Sequence, residues 1–302
     1  LFPTMKSNNF VSEIVNQPIF GIRGKQFQDF IQDLLKRTDL TSSNIDILTN
    51  ETNIKYFEQA FTHKAIHAMD NYEFFEILGD VTCNKSIVWY LKDRFSFLNN
   101  SDGVKVIARL KINLVGKENF AKWARKLNFM PYISMDLETK IKKETDVLED
   151  CLEAFIGATE FLIDKLYRGG GYFFCYRFLK SILDEESISL SYESLYDSVT
   201  RLKETFDYYT SMHMKGTCPY ISGSLKFDQR KLEEGGHSVK LLQKVNGKDQ
   251  ILREMEGMYL NETKHLLCHE YLSFLDSKGY KKPISPYYSQ IENCRLQLDR
   301  NG

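Results

Sequence analysis

From Gly24 onward the apolar residues Phe27, Phe30, Ile31, Leu34 and Leu35 recur at i, i+3, i+4, i+7 and i+8, which puts all five on one helical face. The spacing predicts a docking helix. After a polar joint over 38–44, a second helical run carries Tyr56, Phe57, Ala60 and Phe61. Helical patterns continue over 72–95, 104–127 and 146–166, and no strand signal interrupts them. Gly169, Gly170 and Gly171 break the chain before one more apolar stretch, 172–183.

Beyond that point the texture changes. The acidic, serine-rich stretch 184–194 follows neither hydrophobic period and reads as a linker, placed at 186–193. A helix-like segment over 199–209 leads into short alternating runs at 220–227, 238–245 and 251–258, and a closing helix is predicted over 261–275. Asn246-Gly247, between the second and third runs, is a strong tight-turn dipeptide. The tail, 281–302, has no clear period and is expected to be partly mobile or draped on a neighbour. The expected organisation is an N-terminal extension with its docking helix (1–44), a helical domain (45–185), a linker (186–193), a small mixed domain (194–280) and a tail (281–302).

With 302 residues, 42% of them apolar and 27% charged, the chain can bury a full core. Lys and Arg total 40 against 41 Asp and Glu, a net of −1, so bulk charge does not mark a polyanion binder. The six cysteines include no CxxC pair and are too sparse for a disulfide scaffold, which predicts reduced thiols in an intracellular protein. No run approaches the roughly 18 uncharged apolar residues that a spanning helix needs, and the opening residues lack a signal pattern. A soluble, cytoplasmic protein without a membrane partner is expected. Residues 1–4 are given no weight, Met5 being a candidate native start.

The candidate chemistry lies in two acidic stripes. In Asn71-Tyr72-Glu73-Phe74-Phe75-Glu76-Ile77-Leu78-Gly79-Asp80, the acids Glu73, Glu76 and Asp80 fall within about 60° of one another on a helical wheel. From Asp146 to Gly157, one face carries Asp146, Asp150, Glu153 and Gly157, and Asp146 with Glu149 looks like a capping pair that starts the helix. Like charges at this spacing repel, and a glycine inside each helix costs about 1 kcal/mol against alanine. Both features are explained if the helices cross at Gly79 and Gly157 and bring Glu76, Asp80, Asp150 and Glu153 together. An all-oxygen set of that kind suits Mg²⁺ or Mn²⁺. Ordinary solvated helix faces would carry the same stripes.

The pattern Glu73-Phe-Phe-Glu76-Ile-Leu-Gly79-Asp80, followed by Asp150-Cys-Leu-Glu153-Ala154-Phe-Ile156-Gly157, resembles the two signature motifs of the ribonuclease III family. Supporting pieces occur in the family's order: Ala60-Phe61-Thr62-His63-Lys64, Asp102-Gly103, Leu114-Val115 and Phe120-Ala121. Together they cover about residues 55 to 185. The resemblance implies a Mg²⁺-dependent endonuclease for double-stranded RNA, with Mn²⁺ as a substitute, leaving 5′ phosphates, 3′ hydroxyls and short 3′ overhangs. It implies Glu76, Asp80, Asp150 and Glu153 as catalytic metal ligands, Glu73 and Asp102 as accessory acids, and a homodimer with two sites. The fold it implies is an all-α ribonuclease III endonuclease domain followed by a small α+β (α-β-β-β-α) domain resembling a double-stranded-RNA-binding domain. The run Gly79 to Tyr90 looks similar to homologues from large DNA viruses, which would place the protein in host cytoplasm or the virion. The rival reading is a catalytically silent relative that is structural or that sequesters duplex RNA.

In the second module, Thr200 to Glu204 fits the first helix of an RNA-binding domain, Gly235-Gly236-His237 its groove-entering loop and Lys264 its last-helix phosphate contact. Glu204, His237 and Lys264 are thus its candidate RNA-binding residues. Residues 192–302 hold 16 Lys and Arg against 15 Asp and Glu, a net of +1. So weak a charge leaves open a module that binds protein or supports the dimer. His265, Cys268, His269 and Cys218 are set aside as a zinc site for want of a paired motif, and so is Glu-x-x-His at 234–237 and 262–265. His63 is expected to orient the first signature helix. Trp89 and Trp123 read as core.

Overall fold

The computed structural model describes residues 17–301, and the start at Met5 lies outside the described residues. The chain divides into two compact units, one running to Ile188 and the other from Ser189.

The first unit is helical. Its elements are α1 (Lys25–Leu35), α2 (Ser42–Leu48), α3 (Ile54–Ala60), α4 (Glu73–Arg94), α5 (Gly103–Leu114), α6 (Lys117–Lys126), α7 (Leu137–Leu166) and α8 (Gly171–Leu183). The docking helix α1 buries Phe27, Ile31, Leu34 and Leu35, and its aromatic rings meet Phe61, Phe129 and Tyr132, so it is part of this core. The centre of the unit is the packing of α4 against α7. Phe75, Cys83 and Ile87 from one helix and Leu148, Leu152 and Phe155 from the other are all buried.

Several sequence expectations are corrected here. The joint over 38–44 contains the start of α2, capped by Thr41, whose side chain accepts from the Asn44 amide. The single pattern over 104–127 is two helices, because Gly116 takes an extended conformation between α5 and α6. α7 is two helical stretches joined at a kink where Lys143 leaves helical geometry, with φ of −135° and ψ of 23°; the first is capped by Asp136, whose carboxylate accepts from the Thr139 amide at 2.8 Å and hydroxyl at 2.7 Å. The second stretch restarts just past Lys143, close to the expected start, and Asp146 and Glu149 lie in its first turns. Two-residue strands also occur, β1 (Pro18–Ile19) pairing antiparallel with β2 (Met135–Asp136). They are too short to carry a hydrophobic period. Trp123 is core, but Trp89 is 47% exposed on the outer side of α4.

Arg23 locks the loop ahead of α4. Its guanidinium donates to the carbonyls of Tyr132 at 2.6 Å and Phe61 at 3.2 Å, and to the hydroxyl of Ser134 at 3.0 Å. The His63 amide donates to the Ser134 carbonyl at 2.9 Å, so the segment before the signature helix is held against β2.

The second unit holds α9 (Tyr192–Leu195), α10 (Ser198–Thr210), the antiparallel sheet β3 (Ser224–Lys231), β4 (His237–Val245) and β5 (Lys248–Gly257), then α11 (Leu260–Ser277) and α12 (Pro286–Asn301). Leu202 and Phe206 of α10 and Leu267, Cys268, Tyr271 and Leu275 of α11 close over Val239 and Leu241 of β4. Asn246 and Gly247, with φ of 50° and 81°, form the hairpin turn between β4 and β5. The boundary between the units falls inside the stretch 186–193, where Ile188, Leu190 and Tyr192 are buried. The tail is also corrected. It forms α12, whose Ile291 is buried and whose Glu292 accepts from the Leu190 amide at 2.6 Å. Helix-pattern reading misses it because its inward positions, Tyr287, Tyr288, Ile291, Glu292 and Arg295, include two charged residues. Among the described residues no helix is long and apolar enough to cross a membrane.

Candidate active site

Helices α4 and α7 cross at their glycines. A Cβ on Gly79 would stand 1.8 Å from the Glu153 carbonyl oxygen, and one on Gly157 would stand 2.0 Å from the Phe75 carbonyl oxygen. Only glycine allows backbones this close, which accounts for two residues that weaken their own helices. The crossing sets Glu76 and Asp80 opposite Asp150 and Glu153. On α4 these acids line the seam between the buried face and an exposed apolar face.

The electrostatics report the same gathering. Glu153 is buried, and desolvation with the charges of Asp80, Glu149, Glu76 and Asp150 pushes its carboxyl up to about 9. Burial and then the charge of Asp150 push Glu76 up to about 7. Glu149 also rises to about 7 through burial, with Lys117 opposing and Asp150 reinforcing the shift. Burial raises Asp150 as well, against the hydrogen bond it accepts from the Tyr72 hydroxyl at 2.8 Å. Two ammonium groups flank the acids: Lys64 Nζ lies 2.7 Å from Glu73, and Lys117 Nζ lies 2.5 Å from Asp146. Asn84 donates to the Asp80 carboxylate at 2.6 Å.

Residues 73–161, which open on Glu73 and close just past Gly157, match the family described as Ribonuclease III domain. A putative ribonuclease 3 of invertebrate iridescent virus 6 is 33% identical over 235 residues, spanning 74% of this chain and 77% of that relative. The chain belongs to the ribonuclease III family. It is thereby an endonuclease. A second viral relative, the putative ribonuclease 3 of frog virus 3, is 38% identical over 154 residues, which are 50% of this chain and 42% of that protein. The nuclease domain of ribonuclease III from Campylobacter jejuni aligns with a TM-score of 0.40 at 25% identity, covering 53% of this chain and 97% of that domain.

The remaining site residues of this ribonuclease III member divide between those the fold gathers and those it does not. Glu73 begins α4 at the edge of the acid group, paired with Lys64. Asp102 stands just before α5, past the end of α4, and about 20 Å of helical rise separates Asp80 from that end. The fold does not bring it to the four. Glu149, Tyr72, Lys64 and Lys117 were not singled out as site residues from sequence. Glu149 shares the stripe of Asp150 and Glu153 and was legible there, whereas Tyr72 meets Asp150 across 78 residues of chain and has no local signal.

In the second unit, His237 opens β4 after Gly235 and Gly236, and Lys264 Nζ lies 4.5 Å from the centre of the Phe227 ring. Glu204 accepts from the Tyr192 hydroxyl and from Lys282 Nζ, so it serves the unit's own packing. Cys218 and Cys268 are buried core residues. Among the described residues no group of three His, Cys, Asp or Glu side chains already stands as the ligand set of one metal ion. The helix crossing gathers the acids against burial and like charge, and their donor chemistry, all carboxylate oxygen around a glycine-made close approach, fits a hard divalent cation.

Proposed function

We propose that the protein cleaves double-stranded RNA with Mg²⁺, or Mn²⁺ in its place, held by Glu76, Asp80, Asp150 and Glu153. The observation that carries this reading is the crossing at Gly79 and Gly157, which brings the two acidic stripes together at one place. Bound there, divalent cations supply activation of a water and charge stabilisation at the leaving oxygen of an in-line displacement, the chemistry that leaves a 5′ phosphate and a 3′ hydroxyl. The chain's own residues set up that chemistry. The crossing fixes the spacing of the carboxylates, Asn84 and Tyr72 orient Asp80 and Asp150, and Lys64 and Lys117 lie at the rim where phosphates of a bound strand would pass.

A homodimer belongs to the same proposal. Phe74, Ile77, Val81 and Val88 recur on α4 beside the acids and are 40–68% exposed, an apolar stripe broken only by Asn84 and Lys85 ahead of Val88. Pairing two copies along it would set two sites side by side for the two strands of a duplex and leave short 3′ overhangs. For the second unit the proposal is a contact to duplex RNA through His237 and Lys264. A protein-binding role is favoured by one observation: Glu233, Glu234 and Glu262 stand around that surface, and Glu204 is already engaged.

The test is a denaturing gel of end-labelled perfect duplex RNA with Mg²⁺ or EDTA. Cuts that need the metal and vanish in E153Q are expected. Intact duplex across Mg²⁺ and Mn²⁺ would favour the silent, structural or sequestering relative.

A further inference from the structure

Tyr72 joins the two halves of the acid group. Its amide donates to the Thr62 carbonyl at 3.0 Å, and its carbonyl accepts from the Glu76 amide at 2.9 Å, so its main chain starts the helix that carries Glu76 and Asp80. Its side chain leaves that helix for the other one, where the hydroxyl donates to Asp150 Oδ2 at 2.8 Å. The residue is 3% exposed, and the ring of His63 packs edge-on against it with centroids 5.6 Å apart. His63 is in turn fixed by the hydrogen bond its amide donates to the Ser134 carbonyl and by the Ala65 amide, which donates to Nδ1 at 3.1 Å.

A phenol has one proton to donate. Buried beside a carboxylate, it keeps its proton and points it at one carboxylate oxygen, leaving the other to face the acids of α4. Asp150 has two rotatable bonds and lies among like charges, so without such a tie it would turn away from them. We infer that Tyr72 is a positioning residue that aims Asp150 Oδ1 at a divalent cation and couples its placement to that of Glu76 and Asp80. The inference rests on the reading of the acids as a metal site. Partners that orient metal-binding side chains are typically worth 10–100-fold in metal affinity or activity.

The experiment is calorimetric titration of the metal-free full chain with Mn²⁺, without RNA. Tyr72→Phe, which removes one oxygen from a buried ring, is expected to bind Mn²⁺ 10–100-fold more weakly at an unchanged melting temperature. In cleavage assays its half-saturating Mn²⁺ concentration should rise in step, with KM for duplex RNA unchanged. Asp150→Asn should weaken Mn²⁺ binding, and adding Tyr72→Phe to it should change nothing more, because the tyrosine acts through that carboxylate. Should Tyr72→Phe fail to fold, Tyr72→Met, which fills the pocket but has no proton to donate, should bind Mn²⁺ less tightly than the native chain. Native Mn²⁺ affinity in a folded Tyr72 variant, or equal losses with and without Asp150, would overturn the inference. Failure of the native chain to bind Mn²⁺, with Asp150→Asn indifferent, would instead sink the metal-site reading itself.

Discussion

Gly79 lies beneath the main chain of Glu153 so closely that a methyl group there would stand 1.8 Å from the carbonyl oxygen. One glycine on α4 therefore determines where a carboxylate on α7 can be. Gly79→Ala should help the isolated helix by about 1 kcal/mol. Overpacking against backbone costs about 1–3 kcal/mol, more than that gain, and the helices must part to admit it. A lowered melting temperature together with cleavage lost beyond what the residual fold explains is expected. A fully active, equally stable Gly79→Ala would show that the close crossing is not needed.

The carboxylates should make the metal-free protein sensitive to alkali. Glu153 has an ordinary value of 4.5 when unfolded and is pushed up to about 9 when folded, so the folded state binds its proton more tightly. Its contribution to stability is fully present below about pH 4.5 and is lost as pH rises toward 9. Glu76 and Glu149 act in the same direction, with their loss complete by about 7. Melting temperatures in EDTA should fall between pH 5 and 9, and Glu153→Gln should flatten part of that fall. Added Mg²⁺ should restore stability most at the alkaline end, where the ligands are ionised. Equal slopes for the native chain and Glu153→Gln would remove Glu153 as the cause.

The apolar stripe on α4 predicts an assembly that charge can break. Ile77→Asp with Val81→Asp places two carboxylates on residues that are 68% and 62% exposed, so the monomer's own core is untouched. Sedimentation should report a dimer for the native chain and a monomer for the variant, with duplex cleavage sharply reduced. A native monomer would end the dimer proposal.

Lys264 and His237 offer a direct reading of the second unit. Lys264→Ala with His237→Ala should weaken duplex binding several-fold in a gel-shift titration and lessen its salt dependence, since the phosphate contact of Lys264 and the groove contact of His237 are removed. Unchanged affinity would assign this unit to protein partners.

Much of this could be read along the chain, because helical faces and turn dipeptides are local. The period of α1, the two acidic stripes and Asn246-Gly247 each announce themselves within a dozen residues, and the motifs Glu73 to Asp80 and Asp150 to Gly157 placed the chain near its family before any coordinate. Single-helix reasoning went wrong where a neighbour decided the outcome. Trp89 is apolar but faces outward, the helical stretch before the kink at Lys143 has no period of its own to announce it, and the tail folds because Leu190 and Tyr192 give α12 a surface to cover.

The sequence by itself determined which residues are acidic, which helices carry them and that a glycine interrupts each stripe, since those properties depend only on residue type and spacing. Tertiary structure decided that the stripes meet, that Glu149 joins them while Asp102 does not, and that Tyr72 holds Asp150. A contact across 78 residues depends on how two helices pack, and no local period encodes it.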